Sequence, residues 1–450
     1  MLKRVLIFIL LSLPAYAEPQ HLTILHFNDF HGHLENAARI SSVIKNIEKA
    51  NLQKGWHTIV LNGGDLISGT PVSARFNGEA EIKFINEIGT DAIVVGNHDF
   101  DFGMDALLKN ISATKFPTLA ANIFKKGKLY PAQAGVLIFK DNCPTVAIFG
   151  LTHEETPTLT SPASVKGLKF GKVVRAAKKE MKRLEGISDI QIALTHIGVK
   201  NDIELAKEVS GIDAVIGGHD HVRPEEYCRD IKNVPVCQTP SYGTYVGAID
   251  LEIDGKHVKT LNKTLIPINN KVPKDPAVSK IMRTYLDPVE KEMKETIGVA
   301  RYDIAHDRNF KGTTPLGGII AEAIKDYTSA DIGLVNPGGI RRPIKKGLVT
   351  KGDIEEVLPF PNIVLKLEMS GQQITNLLNN SAKRGKMMQL SGIAPDAILD
   401  PQKKYTVSTI DFLVNGGDGI TEFKKAKVVT NTGKYIKEIF IAYIKKEKEL

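Results

Sequence analysis

The sequence lacks the features that mark fibrous, disordered or membrane-spanning chains. Its 450 residues contain no internal repeat and no low-complexity tract, and no segment after residue 17 is long and apolar enough to cross a bilayer of about 30 Å. Hydrophobic residues make up 42% of the chain and charged residues 24%, which is an ordinary globular composition. At this length we expect two or three domains.

Basic residues are not concentrated enough to indicate nucleic-acid binding. The formal net charge is +8, and Lys and Arg are spread along the chain with a modest lysine concentration near the C-terminus. Such a surplus attracts anions in general. We therefore expect a small-molecule substrate, no nucleic acid and no obligate protein partner.

Cysteine is also scarce, with only Cys143, Cys228 and Cys237 in the whole chain. Cys228 and Cys237 bracket a short polar stretch, and an exported protein can oxidise such a pair. We predict a local disulfide that closes a loop. The alternative is three buried thiols.

The N-terminus has the pattern of an export signal. Lys3 and Arg4 precede an apolar run over residues 5–13, and Pro14-Ala15-Tyr16-Ala17 supplies the small residues of a cleavage site. The apolar run is too short for a transmembrane anchor. Residues 1–17 are therefore predicted to be a cleavable signal peptide that directs the protein to the periplasm or out of the cell.

The first half of the chain alternates short apolar runs with amphipathic segments, which predicts a layered α/β architecture. The runs predicted as buried strands are Leu22–Phe27, Thr58–Leu61, Ala92–Val95, Val146–Phe149, Ile190–Leu194 and Ala214–Ile216. The segments predicted as helices are Ala38–Ala50, Gly78–Ile88 and Val173–Leu184.

A proline-punctuated stretch marks the predicted domain boundary. It is followed by Pro276–Ile297, which is rich in Lys and Glu, has no strand character and predicts one or two helices. We place the first domain at residues 21–270, a helical linker at 271–298 and a second domain at 299–450. In the second domain we predict a helix over Pro315–Tyr327 and another that begins near Ser370, where Gln373 has capping-box spacing.

Five predicted strands end in residue types that bind metals or transfer protons. In chain order these clusters are Asn28-Asp29-Phe30-His31, Gly64-Asp65, Asn97-His98-Asp99-Phe100-Asp101, Thr195-His196 and His219-Asp220-His221. Ligand sites in α/β sheets lie where the carboxyl ends of strands converge. Mixed imidazole and carboxylate ligands suit Mn, Zn, Fe or Co better than calcium. A carboxylate shared by two ions, for which Asp65 is the candidate, allows them to lie about 3.5–4 Å apart.

Each cluster alone has a simpler interpretation. An isolated Asp-x-His or Gly-Gly-Asp is usually a surface turn, and a single histidine after a strand is more often structural. Coincidence does not readily produce five such clusters, in order and each at a strand end. We therefore predict a multi-residue metal site.

With these motifs the first half resembles the calcineurin-like metallophosphoesterases. The resemblance implies a four-layer α/β/β/α sandwich with two divalent metal ions, for which Mn²⁺, Zn²⁺ or Co²⁺ are expected. It implies that one ion is held by Asp29, His31, Asp65 and His221. It implies that the other is held by Asp65, Asn97, His196 and His219. His98 would face the substrate phosphate with Asp101 holding its ring, and the alternative for His98 is a structural role.

The second half narrows the resemblance. The motifs Asn336-Pro-Gly-Gly-Ile-Arg341, Leu358-Pro-Phe360 and Asp411-Phe412-Leu-Val-Asn-Gly-Gly-Asp418-Gly resemble the C-terminal α/β domain of 5′-nucleotidases and bacterial UDP-sugar hydrolases. The resemblance implies that Phe360 and Phe412 clamp a nucleobase, for which core packing is the alternative. It also implies that Asn336 and Asp418 bond to base or ribose. Arg341 would face phosphate, and a surface ion pair is its alternative.

One departure from the nucleotidase pattern concerns phosphate recognition. Nucleotidases often carry a second phosphate-binding arginine just before the helix predicted at Pro315, and here Pro315 itself stands at that position. Proline cannot replace the charge. Either Lys311 or Arg308 reaches in from the preceding loop, or phosphate recognition is weaker.

The resemblance implies an exported 5′-nucleotidase that hydrolyses nucleoside 5′-phosphates with a water activated by two metals. The alternatives within the enzyme class are hydrolysis of UDP-sugars, of 2′,3′-cyclic nucleotides, or of a non-nucleotide ester such as a thiosulfohydrolase substrate. A catalytically retired binding protein is disfavoured because every expected metal ligand is present.

Overall fold

The computed structural model describes residues 19–138, 143–161, 163–184, 186–394 and 396–450. The predicted signal peptide lies outside the described residues. Across those ranges, no helix combines the length and apolar character that crossing a membrane requires.

The first half contains strands and helices that alternate along the chain. Its strands are β1 Gln20–Phe27, β2 His57–Asn62, β3 Ala92–Val94, β4 Thr118–Leu119, β5 Ile123–Lys125, β6 Lys128–Leu129, β7 Gly135–Ile138, β8 Val146–Thr152, β9 Leu168–Phe170, β10 Ile190–His196, β11 Ala214–Ile216, β12 Cys228–Ile231, β13 Val234–Cys237, β14 Tyr245–Asp254 and β15 His257–Pro267. Its helices are α1 Ala37–Gln53, α2 Pro71–Phe76, α3 Glu79–Glu87, α4 Gly103–Ala113, α5 Thr156–Leu159, α6 Val173–Leu184, α7 Val199–Glu208 and α8 Pro276–Met293.

Two sheets form the centre of this half. One has the strand order β15-β14-β1-β2-β3-β4, and the other has the order β12-β13-β11-β10-β8-β7. The neighbours from β1 to β4 are parallel, as are those from β13 through β11 and β10 to β8. The carboxyl ends of the parallel strands therefore point to one edge in each sheet.

The layer order follows from alternation of side chains along the strands. Leu22 and Ile24 of β1 pack in the core between the two sheets, whereas Leu25 and Phe27 pack against α1, α3 and α8. On the other sheet, Phe149 of β8 packs in a core with residues of α6 and α7. Helices thus cover both outer faces, and the predicted four-layer α/β/β/α sandwich is confirmed.

The second half is a separate α/β unit around its own core. Its strands are β16 Thr296–Ala300, β17 Ile332–Val335, β18 Gly347–Thr350, β19 Ile363–Ser370, β20 Gln389–Ser391, β21 Lys404–Ile410 and β22 Lys427–Tyr435. Its helices are α9 Pro315–Thr328, α10 Lys351–Val357, α11 Gly371–Lys383, α12 Asp411–Val414 and α13 Ile436–Glu447. The main sheet has the order β20-β17-β21-β19-β22.

Most predicted elements appear with small shifts at their ends. The six predicted strands are present, and the capping box of Ser370 with Gln373 begins α11. The disulfide between Cys228 and Cys237 is confirmed and joins the paired strands β12 and β13. One prediction was wrong: Pro276–Ile297 is not free of strand, because β16 starts at Thr296 and pairs with β18, a partner about 50 residues away that local pattern does not reveal.

Helix α8 is fixed at its start by a buried aspartate. The Asp275 carboxylate accepts hydrogen bonds from the Ala277 and Val278 amides, from the Ser41 hydroxyl at 2.8 Å and from Lys45 Nζ at 2.6 Å. Burial raises the pKa of Asp275, but these donors outweigh it and lower the pKa to about 2. Asp275 therefore ties α8 to α1 as well as capping it.

We expect Asp275→Ala to lower the free energy of unfolding by about 1–3 kcal/mol at neutral pH. Since the folded pKa lies below the unfolded value of about 4, this contribution is present at neutral pH and is lost as the pH falls from about 4 to about 2. Thermal unfolding at pH 7 and pH 3 measures the effect. Asp287→Ala, at an exposed position of the same helix, is the matched control. An unchanged melting temperature in Asp275→Ala would contradict the prediction.

Candidate metal centre and substrate cleft

The loops after the parallel strands bring the predicted metal ligands together. Asp29, Asp65 and Asn97 follow β1, β2 and β3, while His196 ends β10 and the loop after β11 carries His219 and His221. The ligands with backbone in the left-handed region, at φ values of 49° to 98°, are Asp29, His31, Asp65, His219 and His221. Non-glycine residues rarely adopt this conformation, and it is concentrated at functional sites.

Close approach of these loops requires glycine at one position in particular. A β-carbon on Gly96 would lie 2.1 Å from Asp65 Oδ1 and 2.4 Å from the Asp65 amide nitrogen. The loops are also tied by backbone hydrogen bonds, from the Asp29 amide to Gly64 O at 3.0 Å and from the His31 amide to Asp65 O at 3.1 Å. The strand-end motifs are thus held in contact by the backbone as well as by side chains.

The first ligand cluster consists of Asp29, His31 and His221. His31 Nε2 lies 3.1 Å from His221 Nε2, and His221 Nε2 lies 3.3 Å from Asp29 Oδ1. Asp29 is fully buried, and His31 is nearly so. Two imidazole nitrogens and a carboxylate oxygen therefore converge on one point.

The second cluster consists of Asp65, His196 and His219. His196 Nδ1 donates to Gly63 O at 2.7 Å, so that its Nε2 faces Asp65 Oδ2 at 3.0 Å. His219 Nδ1 lies 2.9 Å from Asn97 Oδ1, which places the predicted Asn97 beside this cluster. Asp65 Oδ2 also lies 3.9 Å from His31 Nε2, so this carboxylate lies between the two clusters.

The donor set fits divalent cations. Asp29 Oδ1 and His196 Nε2 are buried and make no hydrogen bond of normal geometry among the described residues, although His221 Nε2 lies 3.3 Å from the first atom and Asp65 Oδ2 lies 3.0 Å from the second. Burial lowers the pKa of His196, but the carboxylates of Asp65 and Asp29 outweigh it and raise the pKa to about 10. Buried imidazole nitrogens and carboxylate oxygens that converge in this way are the mixed ligand set that borderline divalent ions prefer.

His98 lies beside the candidate metal ligands, and Asp101 holds its ring. His98 Nδ1 is 2.8 Å from Asp101 Oδ2, and the same carboxylate accepts hydrogen bonds from the Ser68 and Thr160 hydroxyls. Burial lowers the pKa of His98, but Asp101 and Asp65 outweigh it and raise the pKa to about 9. These contacts fix the orientation of the imidazole and favour its protonated form.

A buried carboxylate that the sequence analysis did not single out organises two of these loops. Asp99 accepts hydrogen bonds from the backbone amides of Gly96, Asp65 and Leu66 at 2.8–3.2 Å. Burial, with help from the nearby Asp65 charge, raises the pKa of Asp99 to about 6. Its place inside the His98–Asp101 motif was the available signal, but nothing in the sequence distinguishes an inward from an outward side chain there.

A second missed residue, Tyr242, packs on the first cluster. Its ring centroid lies 5.4 Å from that of His221 and 6.0 Å from that of His31, and its φ is 67°. The Tyr242 amide donates to Asp29 O at 2.8 Å. No sequence signal pointed to Tyr242, because it follows β13 rather than one of the ligand-bearing strands.

A cleft of about 720 Å³ lies between the two halves and reaches His98 and Asp101. All five residues predicted to bind substrate line it, namely Asn336, Arg341, Phe360, Phe412 and Asp418. The His98 and Phe360 rings lie 6.5 Å apart at an interplanar angle of 18°. The Arg341 guanidinium lies 5.9 Å from the centre of the Phe360 ring. The first half thus contributes His98 and Asp101 to the cleft, and the second half contributes two aromatic rings together with several charged side chains.

The structure favours one of the replacements considered for the missing arginine. Pro315 begins α9, where Thr314 caps the helix by accepting from the Gly317 amide. Arg308 lines the cleft, whereas Lys311 is not among its lining residues within the described part of the chain. Burial, with Arg308 nearby, lowers the pKa of Arg341. In the described part of the chain neither arginine pairs with a carboxylate, and Arg341 Nη1 donates instead to Gly338 O at 3.5 Å.

Comparison with family models agrees with both halves of this geometry. The model described as calcineurin-like phosphoesterase matches residues 22–223, and the model described as 5′-nucleotidase, C-terminal domain matches residues 294–397. This chain belongs to the 5′-nucleotidase family. As a member of that family it is a metal-dependent phosphoester hydrolase.

Proteins from three bacteria align with nearly the whole chain. Trifunctional nucleotide phosphoesterase protein YfkN of Bacillus subtilis is 30% identical over 94% of this chain, which spans only 34% of YfkN. Protein UshA of Escherichia coli is 27% identical, and the alignment covers 95% of this chain and 92% of UshA. The 5′-nucleotidase of Vibrio cholerae is 28% identical, and the alignment covers 94% of this chain and 90% of that protein.

Solved structures agree on the fold of the family. A 5′-nucleotidase precursor from Thermus thermophilus superposes with a TM-score of 0.79 at 24% identity, covering 96% of this chain and 97% of that protein. SoxB, a sulfate thiohydrolase from the same genus, superposes with a TM-score of 0.71 at 16% identity. The superposition covers 98% of this chain and 96% of SoxB. At these identities the likeness concerns the fold alone.

Proposed function

We propose that this chain is an exported 5′-nucleotidase that hydrolyses nucleoside 5′-phosphates to nucleoside and inorganic phosphate. The observation that carries the proposal is the cleft itself. It joins His98, which lies beside the convergent ligand clusters, to two phenylalanines on the other half. One cleft therefore brings the proposed phosphate chemistry and the proposed recognition of a planar base together. The Vibrio cholerae relative named 5′-nucleotidase and the Bacillus subtilis relative named nucleotide phosphoesterase support the same function.

Two divalent ions fit the centre, with Mn²⁺, Zn²⁺ and Co²⁺ as the leading candidates. Asp29, His31 and His221 would hold one, and His196, Asn97 and His219 the other, with Asp65 between them. When bound, the ions supply a nucleophilic water of lowered pKa and neutralise charge on the phosphoryl oxygens. The chain's own contribution is to hold seven ligands rigidly on strand ends.

His98 contributes a positioned cation to the reaction. Its Nδ1 is held by Asp101, so that Nε2 can donate to a phosphoryl oxygen or to the leaving 5′-oxygen. Asp101 is itself held by Ser68 and Thr160, which leaves its carboxylate little freedom to turn away. We assign His98 as the catalytic acid or charge stabiliser and Asp101 as the residue that positions it.

The second half selects the substrate. A base between Phe360 and Phe412 would gain about 1–3 kcal/mol of stacking, with tolerance for any base. Arg341 and Arg308 would face the phosphate, and their planar guanidinium groups suit its oxygens. The proposed division is a catalytic domain at residues 21–270, a helical linker at 271–298 and a substrate domain at 299–450. Residues 1–17 would direct the protein to the periplasm.

The experiment that tests the function is phosphate release from a panel of esters by the metal-reconstituted protein without residues 1–17. The panel contains AMP, UMP, ADP, UDP-glucose, 2′,3′-cyclic AMP and bis(p-nitrophenyl) phosphate. Metal-dependent release from AMP and UMP is expected. Turnover of UDP-glucose or the cyclic ester alone would retain the metal chemistry and reassign the substrate. Turnover of no nucleotide with any divalent ion would overturn the proposal.

We expect Arg341→Ala to raise KM for nucleoside monophosphates by about 10- to 100-fold, because one charge-assisted contact to phosphate is lost. Steady-state kinetics with UMP measures the change. Arg342→Ala is the matched control, since Arg342 is the adjacent residue, forms an exposed ion pair with Glu356 and does not line the cleft. Equal KM values for the two variants would show that Arg341 does not bind the substrate phosphate.

A further inference from the structure

A buried aspartate behind the second ligand cluster has no part in the chemistry proposed above. Asp202 lies in the first turn of α7 and is fully buried. Its Oδ1 accepts a hydrogen bond from the Thr195 hydroxyl at 2.6 Å, and its Oδ2 accepts one from Gln238 Nε2 at 2.8 Å. Taking a carboxyl group out of water is costly unless its oxygens are hydrogen-bonded. The position of Asp202 therefore depends on these two side chains, and theirs depends on Asp202.

Asp202 connects the ends of the two strands from which the histidines of the second cluster extend. Thr195 immediately precedes His196 at the end of β10. Gly217 follows β11 and lies two residues before His219. A β-carbon on Gly217 would lie 2.2 Å from Asp202 Oδ2, so the carboxyl group lies directly against this loop. One side chain thus contacts both ligand-bearing segments.

Backbone hydrogen bonds join the same two loops to α7. The Asp202 amide donates to Gly198 O at 3.0 Å, and the Gly198 amide donates to Gly218 O at 3.2 Å. Gly198 lies in the loop after β10, and Gly218 lies in the loop after β11. The Asp202 side chain therefore belongs to a frame that includes both loops rather than to a single turn.

The first ligand cluster is held mainly by a different polar side chain. Asn28 Nδ2 donates to Asp29 Oδ2 at 2.7 Å, and Asn28 Oδ1 accepts from the Thr239 amide at 2.7 Å. Asp202 is connected to this network through Gln238, which precedes Thr239. We therefore expect a change at Asp202 to affect the second cluster more than the first.

We propose that Asp202 is a positioning residue for the metal ion of the second ligand cluster. The inference rests on the proposed two-metal function and adds a residue that lies outside both clusters. Its hydrogen bonds hold the His196 and His219 segments at the separation that converging ligands require. Without the carboxyl group these segments move more freely, and the ion of the second cluster binds more weakly than that of the first.

The test measures Mn²⁺ binding directly, by titration of chelator-treated wild-type protein and Asp202→Ala. In the variant we expect one ion to bind about 10- to 100-fold more weakly and the other to bind within about threefold of wild type. KM for UMP should stay within about twofold, since Asp202 does not line the cleft in the described part of the chain. Wild-type affinity for both ions in Asp202→Ala would overturn the proposal. A wild-type protein that binds no divalent ion would instead overturn the proposed function.

Three further variants separate positioning from folding. Asp213→Ala is the matched control, because Asp213 accepts from the Gln191 amide at 2.8 Å near the opposite end of β10. It should lower the melting temperature of the metal-free protein and leave both ion affinities unchanged. Asp202→Asn should keep both affinities within about threefold, since its oxygen can accept from Thr195 and Gln238 can turn its unpaired Oε1 to the new amide. Equal losses in Asp202→Asn and Asp202→Ala would overturn positioning through these hydrogen bonds.

Thr195→Val keeps the carboxyl group and carries the test if Asp202→Ala does not fold. The valine has the shape of threonine but cannot donate to Asp202 Oδ1. We expect it to weaken binding of the same single ion by about 3- to 10-fold. Wild-type affinity for both ions in Thr195→Val would overturn the proposal.

Discussion

The Asp65→Asn variant will release phosphate from UMP about 10³-fold more slowly than the wild-type protein at saturating substrate and metal. The reason lies in the position of the Asp65 carboxylate, 3.0 Å from His196 Nε2 and 3.9 Å from His31 Nε2. It is the group that both clusters share. Asparagine keeps the size of the side chain and removes the charge, so the loss reports on metal affinity rather than on packing.

Metal content distinguishes this explanation from misfolding. Asp65→Asn should retain fewer ions per chain than the wild type after dialysis, and excess metal should restore only part of the rate. Asp105→Asn, at an exposed position in the first turn of α4, should behave as wild type. An Asp65→Asn variant with full metal content and an unchanged kcat would contradict the shared-ligand assignment.

The His98→Gln variant will lower kcat by about 10²–10⁴-fold. His98 is not in either ligand cluster, yet its ring centroid lies 5.3 Å from that of His31 and 6.5 Å from that of Phe360. It therefore lies at the junction of the metal centre and the cleft. Glutamine can still bond to Asp101 but carries no charge and no transferable proton.

Metal content distinguishes the His98→Gln variant from Asp65→Asn. His98→Gln should bind the wild-type complement of metal and lose only the rate, whereas Asp65→Asn should lose both. Asp101→Asn should fall between wild type and His98→Gln, because Asp101 acts by holding and charging the His98 ring. A His98→Gln variant that turns over UMP at the wild-type rate would show that His98 has only a structural role.

The strand-end motifs could be predicted because short-range pattern determines them. A buried parallel strand is a continuous apolar run, and its carboxyl end is visible where the run stops. Asp29, Asp65, Asn97, His196 and His219 each follow or end such a run, so that one rule about α/β sheets predicted that these side chains lie together. The left-handed backbone at several of these positions could not be foreseen, since it depends on contacts between loops.

The predicted substrate-binding residues depended on resemblance to a known family, because the local sequence pattern gave no indication of their role. Phe360 and Phe412 have no periodicity that separates a clamp from a core residue. Lys386 and Arg308 lie on loops 32 and 110 residues from Asp418, and only the folded chain brings them to the same cleft. Sequence spacing carries no information about such contacts, because they are set by how β17, β21 and α11 pack.

We infer that the convergent Asp and His clusters form a two-metal centre that serves the cleft. The most direct test is phosphate release from UMP by chelator-treated protein as Mn²⁺ or Co²⁺ is added, with bound metal measured in the same samples. We predict no turnover in the metal-free protein and a rate that reaches its plateau at two bound ions per chain. Turnover that survives removal of metal, or a plateau at one ion, would contradict the claim.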